Sequence, residues 1–216
     1  MKHKTITLIL VFGVVVVLLD LGLAGVVFVK KATLSQSISD FVIVVLSGLV
    51  GYLLAKHTDL PIWWRISDKN KKKNYITLCC VGLVIVAVNS YVNIAAYIGN
   101  KSQLFKAQPP LELLDPLNAV LYSLRSALTE ELIFRFLMIS ILVFMLQYFV
   151  KETKVRKYIS IFMASLLFAL IHPIFFIPLI MGLLLSYIYV NHGLMPVLLI
   201  HFLANVIPFV YIAMSK

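Results

Sequence analysis

Ionisable side chains gather in the second half of the chain, within sequence that is otherwise strongly apolar. Glu130, Glu131 and Arg135 lie close together, and His172 and His201 follow in later apolar stretches. A charged side chain inside a bilayer is costly unless it is paired or hydrated, so each of these residues needs a physical reason. A carboxylate with two imidazoles can transfer protons or hold a metal ion. The cluster therefore points to a functional site.

The two adjacent glutamates are predicted to have different partners. Glu131 and Arg135 are four residues apart, so an α-helix places them on one face, where they can form an ion pair. Glu130 points about 100° away around an α-helix and is left unpaired, so the two carboxylates are not expected to serve the same atom. By itself, Glu130 is explained equally well as a hydrogen-bonding residue between helices.

Each of the two histidines has a partner four residues away. Phe168 and His172 share a helix face, and Pro173 is expected to end or kink that helix at the imidazole. His201 and Asn205 lie on one stripe of an otherwise apolar helix. A lone histidine in a membrane helix is often a packing residue, but two histidines with a glutamate and an asparagine on three helices favour a site.

The composition indicates which elements must position these residues. Of 216 residues, 62% are hydrophobic and 13% are charged, and the mean hydropathy is +1.00. Soluble domains have about 45–50% apolar and about 25% charged residues. Apolar runs long enough to cross a hydrocarbon core of about 30 Å recur along the chain, without the alternation of a membrane β-barrel. We predict an all-α, polytopic transmembrane helical bundle in lipid, forming one integral-membrane domain over residues 1–216.

Seven membrane helices are predicted, with the candidate catalytic motifs within residues 116–214. The predicted ranges are 6–29, 38–55, 75–98, 116–150, 158–171, 174–190 and 194–214. The fourth range is too long for one perpendicular crossing. A turn near residues 125–129 would divide it and give eight helices.

Positive charges are distributed unequally between the two ends of these helices. Twelve Lys and Arg residues fall on the side of the N-terminus and five on the other. The positive-inside rule then places the N-terminus in the cytoplasm, and a bacterial plasma membrane is the expected location. The net charge of +10 comes from Lys and Arg residues in the connections between helices, a pattern that orients a membrane protein. No nucleic-acid partner is therefore expected. Trp63 and Trp64 are typical of an interfacial anchor, and His192 is interpreted as a surface residue before Gly193.

Three motifs in the second half resemble those of a known family, the type II CAAX prenyl proteases and their prokaryotic relatives, called the CPBP (CAAX protease and bacteriocin-processing) or Abi family. The motifs are two adjacent glutamates with an arginine four residues after the second, then Phe-x-x-x-His, then His-x-x-x-Asn. In this sequence they are met at Glu130, Glu131 and Arg135, at Phe168 and His172, and at His201 and Asn205. The resemblance covers roughly residues 116–216. Phe136 departs from it, because this position is often glycine in the family.

The resemblance implies an intramembrane endopeptidase that cleaves a peptide or membrane-protein substrate. Glu130 and His172 would activate the attacking water, and His201 and Asn205 would donate hydrogen bonds to the oxyanion that forms. The supporting residues would be Glu131, Arg135 and Phe168, with the Glu131–Arg135 pair positioning its helix and supplying no chemistry. No cofactor is predicted.

Two alternatives are open at the level of sequence. Glu130, His172 and His201 form a two-histidine, one-carboxylate set of the kind that holds zinc in peptidases. However, 29 positions separate the two histidines, unlike those of the His-Glu-x-x-His zinc motif. The other alternative is a non-catalytic membrane scaffold or bacteriocin-immunity protein with the same fold, which should tolerate substitution of Glu130 where an enzyme should not.

Overall fold

The computed structural model of the protein describes residues 2–23, 34–65, 71–99, 115–172 and 174–215. These residues form seven helices and no β-strand, which confirms the predicted all-α fold. In chain order the helices are α1 (Lys2–Leu23), α2 (Leu34–His57), α3 (Lys71–Ile98), α4 (Pro116–Glu130, continued by Glu131–Met138 and Ile139–Leu146), α5 (Thr153–Leu170), α6 (Phe176–His192) and α7 (Leu194–Met214). The predicted end of the first helix at residue 29, and Pro173, lie outside the described residues.

Several of the helices have the length and composition of membrane spans. Within the described ranges, the segments that are long and apolar enough to cross a membrane are Lys4–Leu21, Ser37–His57, Asn74–Ile98 and Leu194–Met214. The helix Phe176–His192 is apolar but shorter. One cluster of buried hydrophobic side chains receives residues from all seven helices, so the bundle packs around a shared core.

The fourth helix has a well-defined start and an irregular middle. Asp115 caps it by accepting a hydrogen bond from the Asn118 backbone N–H at 2.7 Å, and Pro116 suits the first position because no helical partner exists there for an N–H. The helix continues through residues 125–129, so the predicted division there is wrong. The irregular part begins at the next residue, because Glu131–Met138 is a π-helix. Its backbone bonds run from residue i to i+5, an arrangement found frequently at functional sites.

A close approach between α2 and the π-helix explains how Phe136 is accommodated. A Cβ added at Gly51 would lie 2.9 Å from the Phe136 backbone oxygen, so a larger residue would force the helices apart. The Phe136 side chain is fully buried, and its ring centroid lies 5.7 Å from that of Trp63 and 6.2 Å from that of Tyr189. The phenylalanine that departs from the family pattern is therefore matched by a glycine on the neighbouring helix.

The two adjacent tryptophans after α2 have different environments. Trp63 turns inward: its ring contacts Phe12 as well as Phe136, and its Nε1–H donates to Thr5 Oγ1 at 3.2 Å. Trp64 is 51% exposed. Only Trp64 therefore has the exposure expected of an interfacial anchor.

The turn between α6 and α7 is joined to the segment after α2 by backbone hydrogen bonds. The donors and acceptors are Arg65 N–H to His192 O, Leu194 N–H to Ile62 O, and Met195 N–H to Trp63 O, at 2.8, 3.2 and 2.9 Å. His192 is buried in this contact, so its interpretation as a surface residue is wrong. Gly193 has a φ of 95°, and a Cβ there would lie 2.7 Å from the Trp63 backbone oxygen.

Replacing Gly193 is expected to destabilise the bundle. The Gly193→Ala variant should lower the free energy of unfolding by about 1–3 kcal/mol, because alanine strains this backbone conformation and its Cβ meets Trp63. Thermal unfolding of the purified protein measures the effect as a lower Tm. Asn191→Ala is the control, because Asn191 is exposed and its side chain donates to Tyr187 O within its own helix. Equal Tm values for the two variants would contradict the expectation.

A group of three charged side chains connects the first two helices to α4. The Arg125 guanidinium pairs through Nε with Asp20 of α1 and through a terminal nitrogen with Asp40 of α2. Asp20 is buried, and the other two side chains are about 30% exposed. Arg125 is thereby engaged away from the glutamates that follow it on α4, which leaves Glu130 free to meet other partners.

Candidate active site

A cavity of about 300 Å³ is lined by residues of α3 to α7 and of the turn between α5 and α6. Its polar lining residues are Asn89, Asn93, Tyr122, Ser126, Glu130, His172, His201 and Asn205, and its other lining residues are apolar. The structure therefore brings to one cavity all four residues that the sequence analysis assigns to catalysis. They come from two helices, α4 and α7, and from the turn that follows α5.

Glu130 has two carboxylate oxygens with different surroundings. Its Oε1 accepts a hydrogen bond from Ser126 Oγ at 2.5 Å, one helical turn earlier. Its Oε2 lies 4.0 Å from His172 Nε2 and 3.7 Å from His201 Nε2. The sequence analysis left Glu130 unpaired and did not predict this hydrogen bond, although its signal was present, because Ser126 stands four residues before Glu130. Ser126 holds one oxygen and leaves the other facing the histidines.

His172 lies two residues after the end of α5, in the turn before α6. Its Nδ1 is 2.7 Å from the Phe168 backbone oxygen. Because a carbonyl oxygen only accepts hydrogen bonds, Nδ1 carries the proton and donates. In the neutral ring Nε2 then has a free lone pair, and this is the atom that faces Glu130.

His201 is buried in α7 and is held between the two glutamates. Its Nδ1–H donates to Glu131 Oε1 at 2.5 Å, while its Nε2 faces Glu130. The two carboxylates thus meet different atoms, as expected. Both atoms belong to one imidazole ring, which the sequence analysis did not predict. The π-helix begins at Glu131, and its turn per residue is smaller than the 100° of an α-helix.

Glu131 also contacts Arg135, as its spacing predicts. Arg135 Nε lies 3.2 Å from Glu131 Oε2, and both side chains are almost completely buried. The contact is an ion pair without hydrogen-bond geometry, since neither atom has a hydrogen-bond partner among the described residues. The guanidinium carbon lies 4.2 Å from the centroid of the Phe168 ring, which suits a cation–π contact. Phe168 in turn packs on His172, with ring centroids 4.4 Å apart.

Asn205 lines the cavity beside His201 and contacts a residue that the sequence analysis missed. Asn89 Nδ2 donates to Ala204 O at 2.7 Å and lies 3.4 Å from Asn205 Oδ1. The available signal for Asn89 was a pair of amides, with Asn93, four residues apart in an apolar span. The partner itself is 116 positions away, and no local pattern predicts such a contact.

Comparison with known proteins finds a similarity in the second half of the chain. Residues 112–207 match the family model described as type II CAAX prenyl endopeptidase Rce1-like. No curated protein and no solved structure matches the chain significantly. The matched range contains all seven residues of the three motifs, and it supports a protease of the CAAX type in an integral membrane protein. Residues 112–207 of this chain are therefore similar to the Rce1-like family of type II CAAX prenyl endopeptidases.

Proposed function

We propose that the protein is an intramembrane endopeptidase that hydrolyses a peptide bond with water activated by Glu130 and His172. The observation that carries the proposal is the convergence of Glu130 Oε2 with the Nε2 atoms of both histidines, at 4.0 and 3.7 Å. These separations are too long for direct hydrogen bonds and suit a water molecule bonded to the carboxylate and an imidazole. The convergence occurs at the wall of a cavity that has both polar and apolar lining residues.

The two histidines are suited to opposite tasks. In its neutral form His172 has an unprotonated Nε2, because its proton lies on Nδ1 and is donated to Phe168 O, so this ring can accept a proton from water together with Glu130. His201 can donate through Nε2 only as an imidazolium, because Nδ1–H is already engaged. The carboxylate of Glu131 at 2.5 Å favours this charged ring. His201 is therefore the donor for a developing oxyanion, with Asn205 as the second donor.

The proposed reaction conserves its atoms and protons. The water oxygen forms a bond to the carbonyl carbon, and the water proton moves to Glu130 or His172. The carbonyl oxygen becomes the oxyanion that faces His201 and Asn205. When the intermediate collapses, the carbon–nitrogen bond breaks and the amine takes the proton from the same acid. The products are a new carboxyl group, which still carries the second proton of the water and then releases it on ionisation, and a new amine.

The substrate class follows from the lining of the cavity. Apart from the polar set, the lining consists of aliphatic and aromatic side chains and one proline. Such a lining favours a peptide or a membrane-protein segment with apolar side chains near the cleaved bond. An extended backbone in this setting needs polar partners, because lipid offers none.

We further propose that turnover needs no tightly bound metal ion. Asn205, which stands beside His201, carries an amide, and zinc prefers Cys, His and carboxylate ligands.

Elemental analysis and chelation test this proposal directly. Active purified protein is expected to contain zinc far below one ion per chain and to keep its kcat throughout a chelator titration. One zinc per chain, with activity lost on chelation and restored by added zinc, would overturn the metal-free mechanism and leave the peptidase standing.

The orientation in the membrane is also a proposal. We infer a bacterial plasma membrane with the N-terminus in the cytoplasm, because the Lys- and Arg-rich connections lie on the side of the N-terminus. The contact between Thr5 and Trp63 supports a common side for the N-terminus and the connection after α2. Reporter fusions at the two ends test the orientation, and a signal from the outer side of the membrane for the N-terminal fusion would contradict it.

The function is tested by comparing membrane peptides from cells that carry the wild type with those from cells that carry Glu130→Gln. A peptidase is expected to produce cleavage products that are absent with the variant. A scaffold or immunity protein would instead leave the peptides unchanged and keep its cellular effect in the variant. Equal amounts of the two proteins in the membrane are the necessary control.

A further inference from the structure

The third helix lies outside the range that matches the family, yet it forms one wall of the cavity. Asn89, Val92 and Asn93 of α3 line it, and α3 packs against α6 and α7. Asn89 and Asn93 are half-buried amides within a span that is long and apolar enough to cross a membrane. Because buried polar groups in a membrane helix need partners, both amides call for a physical account.

The hydrogen bonds of Asn89 determine which end of its amide is the donor. Its side chain lies 2.7 Å from Ala204 O, and a backbone carbonyl only accepts, so the atom in contact is the nitrogen. That nitrogen also lies 3.4 Å from the Asn205 side chain. A donor faces Asn205 at this point, so Asn205 presents its oxygen there. The Asn205 nitrogen is then the end that remains for the cavity.

We propose that Asn89 is a positioning residue that orients the Asn205 amide with its N–H toward the substrate carbonyl. The inference rests on the proposed function, in which Asn205 stabilises the oxyanion. A rotated Asn205 would place its own carbonyl oxygen against the developing negative charge and would oppose the reaction. Asn89 prevents this rotation because its donor is anchored on Ala204, the residue directly before Asn205. The active site therefore extends to α3.

Asn93 provides a matched comparison on the same helix. It lines the same cavity, but its Nδ2 donates to Asn89 O at 2.8 Å, within α3. It has no contact with Asn205 among the hydrogen bonds of the described residues. Removing the Asn93 amide therefore changes the wall of the cavity without releasing Asn205.

The test compares Asn89→Leu with Asn93→Leu, each in the wild type and in an Asn205→Ala background, using the full chain reconstituted in lipid. Asn89→Leu is expected to lower kcat by about 10- to 100-fold with little change in KM. This fall in kcat should not exceed the one caused by removing an oxyanion donor outright. In the Asn205→Ala background it should cause no further loss of kcat. Any change in kcat that Asn93→Leu causes should be equally large in both backgrounds, because Asn93 has no hydrogen bond to Asn205 among the described residues.

Thermal unfolding of the same variants gives a readout that does not depend on turnover. The Tm losses of Asn89→Leu and Asn205→Ala should be less than additive in the double variant, because both remove one contact. An unchanged kcat for Asn89→Leu, or the same loss with and without Asn205, would overturn the positioning role. If the wild type cleaves no peptide, the proposed peptidase function fails, and additive Tm losses would then also overturn the contact between Asn89 and Asn205.

Discussion

Replacement of Glu130 by glutamine is expected to lower kcat by about 10²- to 10⁴-fold, the contribution of a general base. Glutamine has nearly the same volume, and its amide oxygen can still accept the hydrogen bond that Ser126 donates to Glu130 Oε1. The atom that faces the histidines becomes an NH₂ group, which cannot take a proton from water. The variant should therefore fold normally and bind substrate, so the loss should appear in kcat and not in Tm.

The matched control is Glu152→Gln, which makes the same chemical change at an exposed glutamate before α5. Turnover of one peptide substrate by the purified proteins, together with their thermal unfolding, measures both effects. Glu152→Gln should be indistinguishable from the wild type in both. A Glu130→Gln protein that folds and retains the wild-type kcat would remove Glu130 from the reaction and favour a scaffold.

The helices were largely predictable from the sequence, and the exceptions have a physical cause. The seventh helix begins at Leu194 and ends at Met214, as predicted, because a uniform apolar run leaves one solution in lipid. The fourth helix was also found, but its π-helical middle was not. An apolar run does not encode whether its backbone bonds connect residue i to i+4 or to i+5. Here the π-helix occurs where Gly51 of α2 closely approaches Phe136. No local sequence pattern predicts a contact between such distant residues.

The residues of the site were predictable as a set, but their connections were not. Charges and histidines in apolar sequence are costly, so Glu130, His172 and His201 stood out by type alone. Which nitrogen of each ring faces the cavity depends on the acceptors at Phe168 O and Glu131, and this required the fold. The partners of Arg125 on α1 and α2 were likewise beyond reach, because they lie 105 and 85 positions away.

Glu131 has two partners, and they give it two separable roles. It neutralises the buried Arg135 and it holds the protonated nitrogen of His201. The sequence analysis assigned it only the first role. The structure adds the second, because a carboxylate beside Nδ1 stabilises the imidazolium form that the proposed oxyanion donor requires.

Glu131→Gln is expected to lower the free energy of unfolding by about 3–5 kcal/mol, because it leaves a buried arginine without its counter-charge. The double variant Glu131→Gln/Arg135→Met should recover most of that stability, since it removes the orphaned charge and keeps an apolar side chain against Phe168. Its kcat should nevertheless stay about 10²-fold or more below the wild type, the effect of losing an oxyanion donor. The introduced glutamine can still accept the His201 N–H, but its neutral amide does not stabilise a charged ring.

Thermal unfolding and turnover of the wild type, both single variants and the double variant measure the two roles separately. Arg135→Met alone should also be unstable, because Glu131 then loses its buried cationic partner on α4. Recovery of both Tm and kcat in the double variant would show that Glu131 acts only through folding. Recovery of Tm without recovery of kcat is the expected result. The double variant has no buried arginine to neutralise, but His201 still lacks the carboxylate that stabilises its charged form.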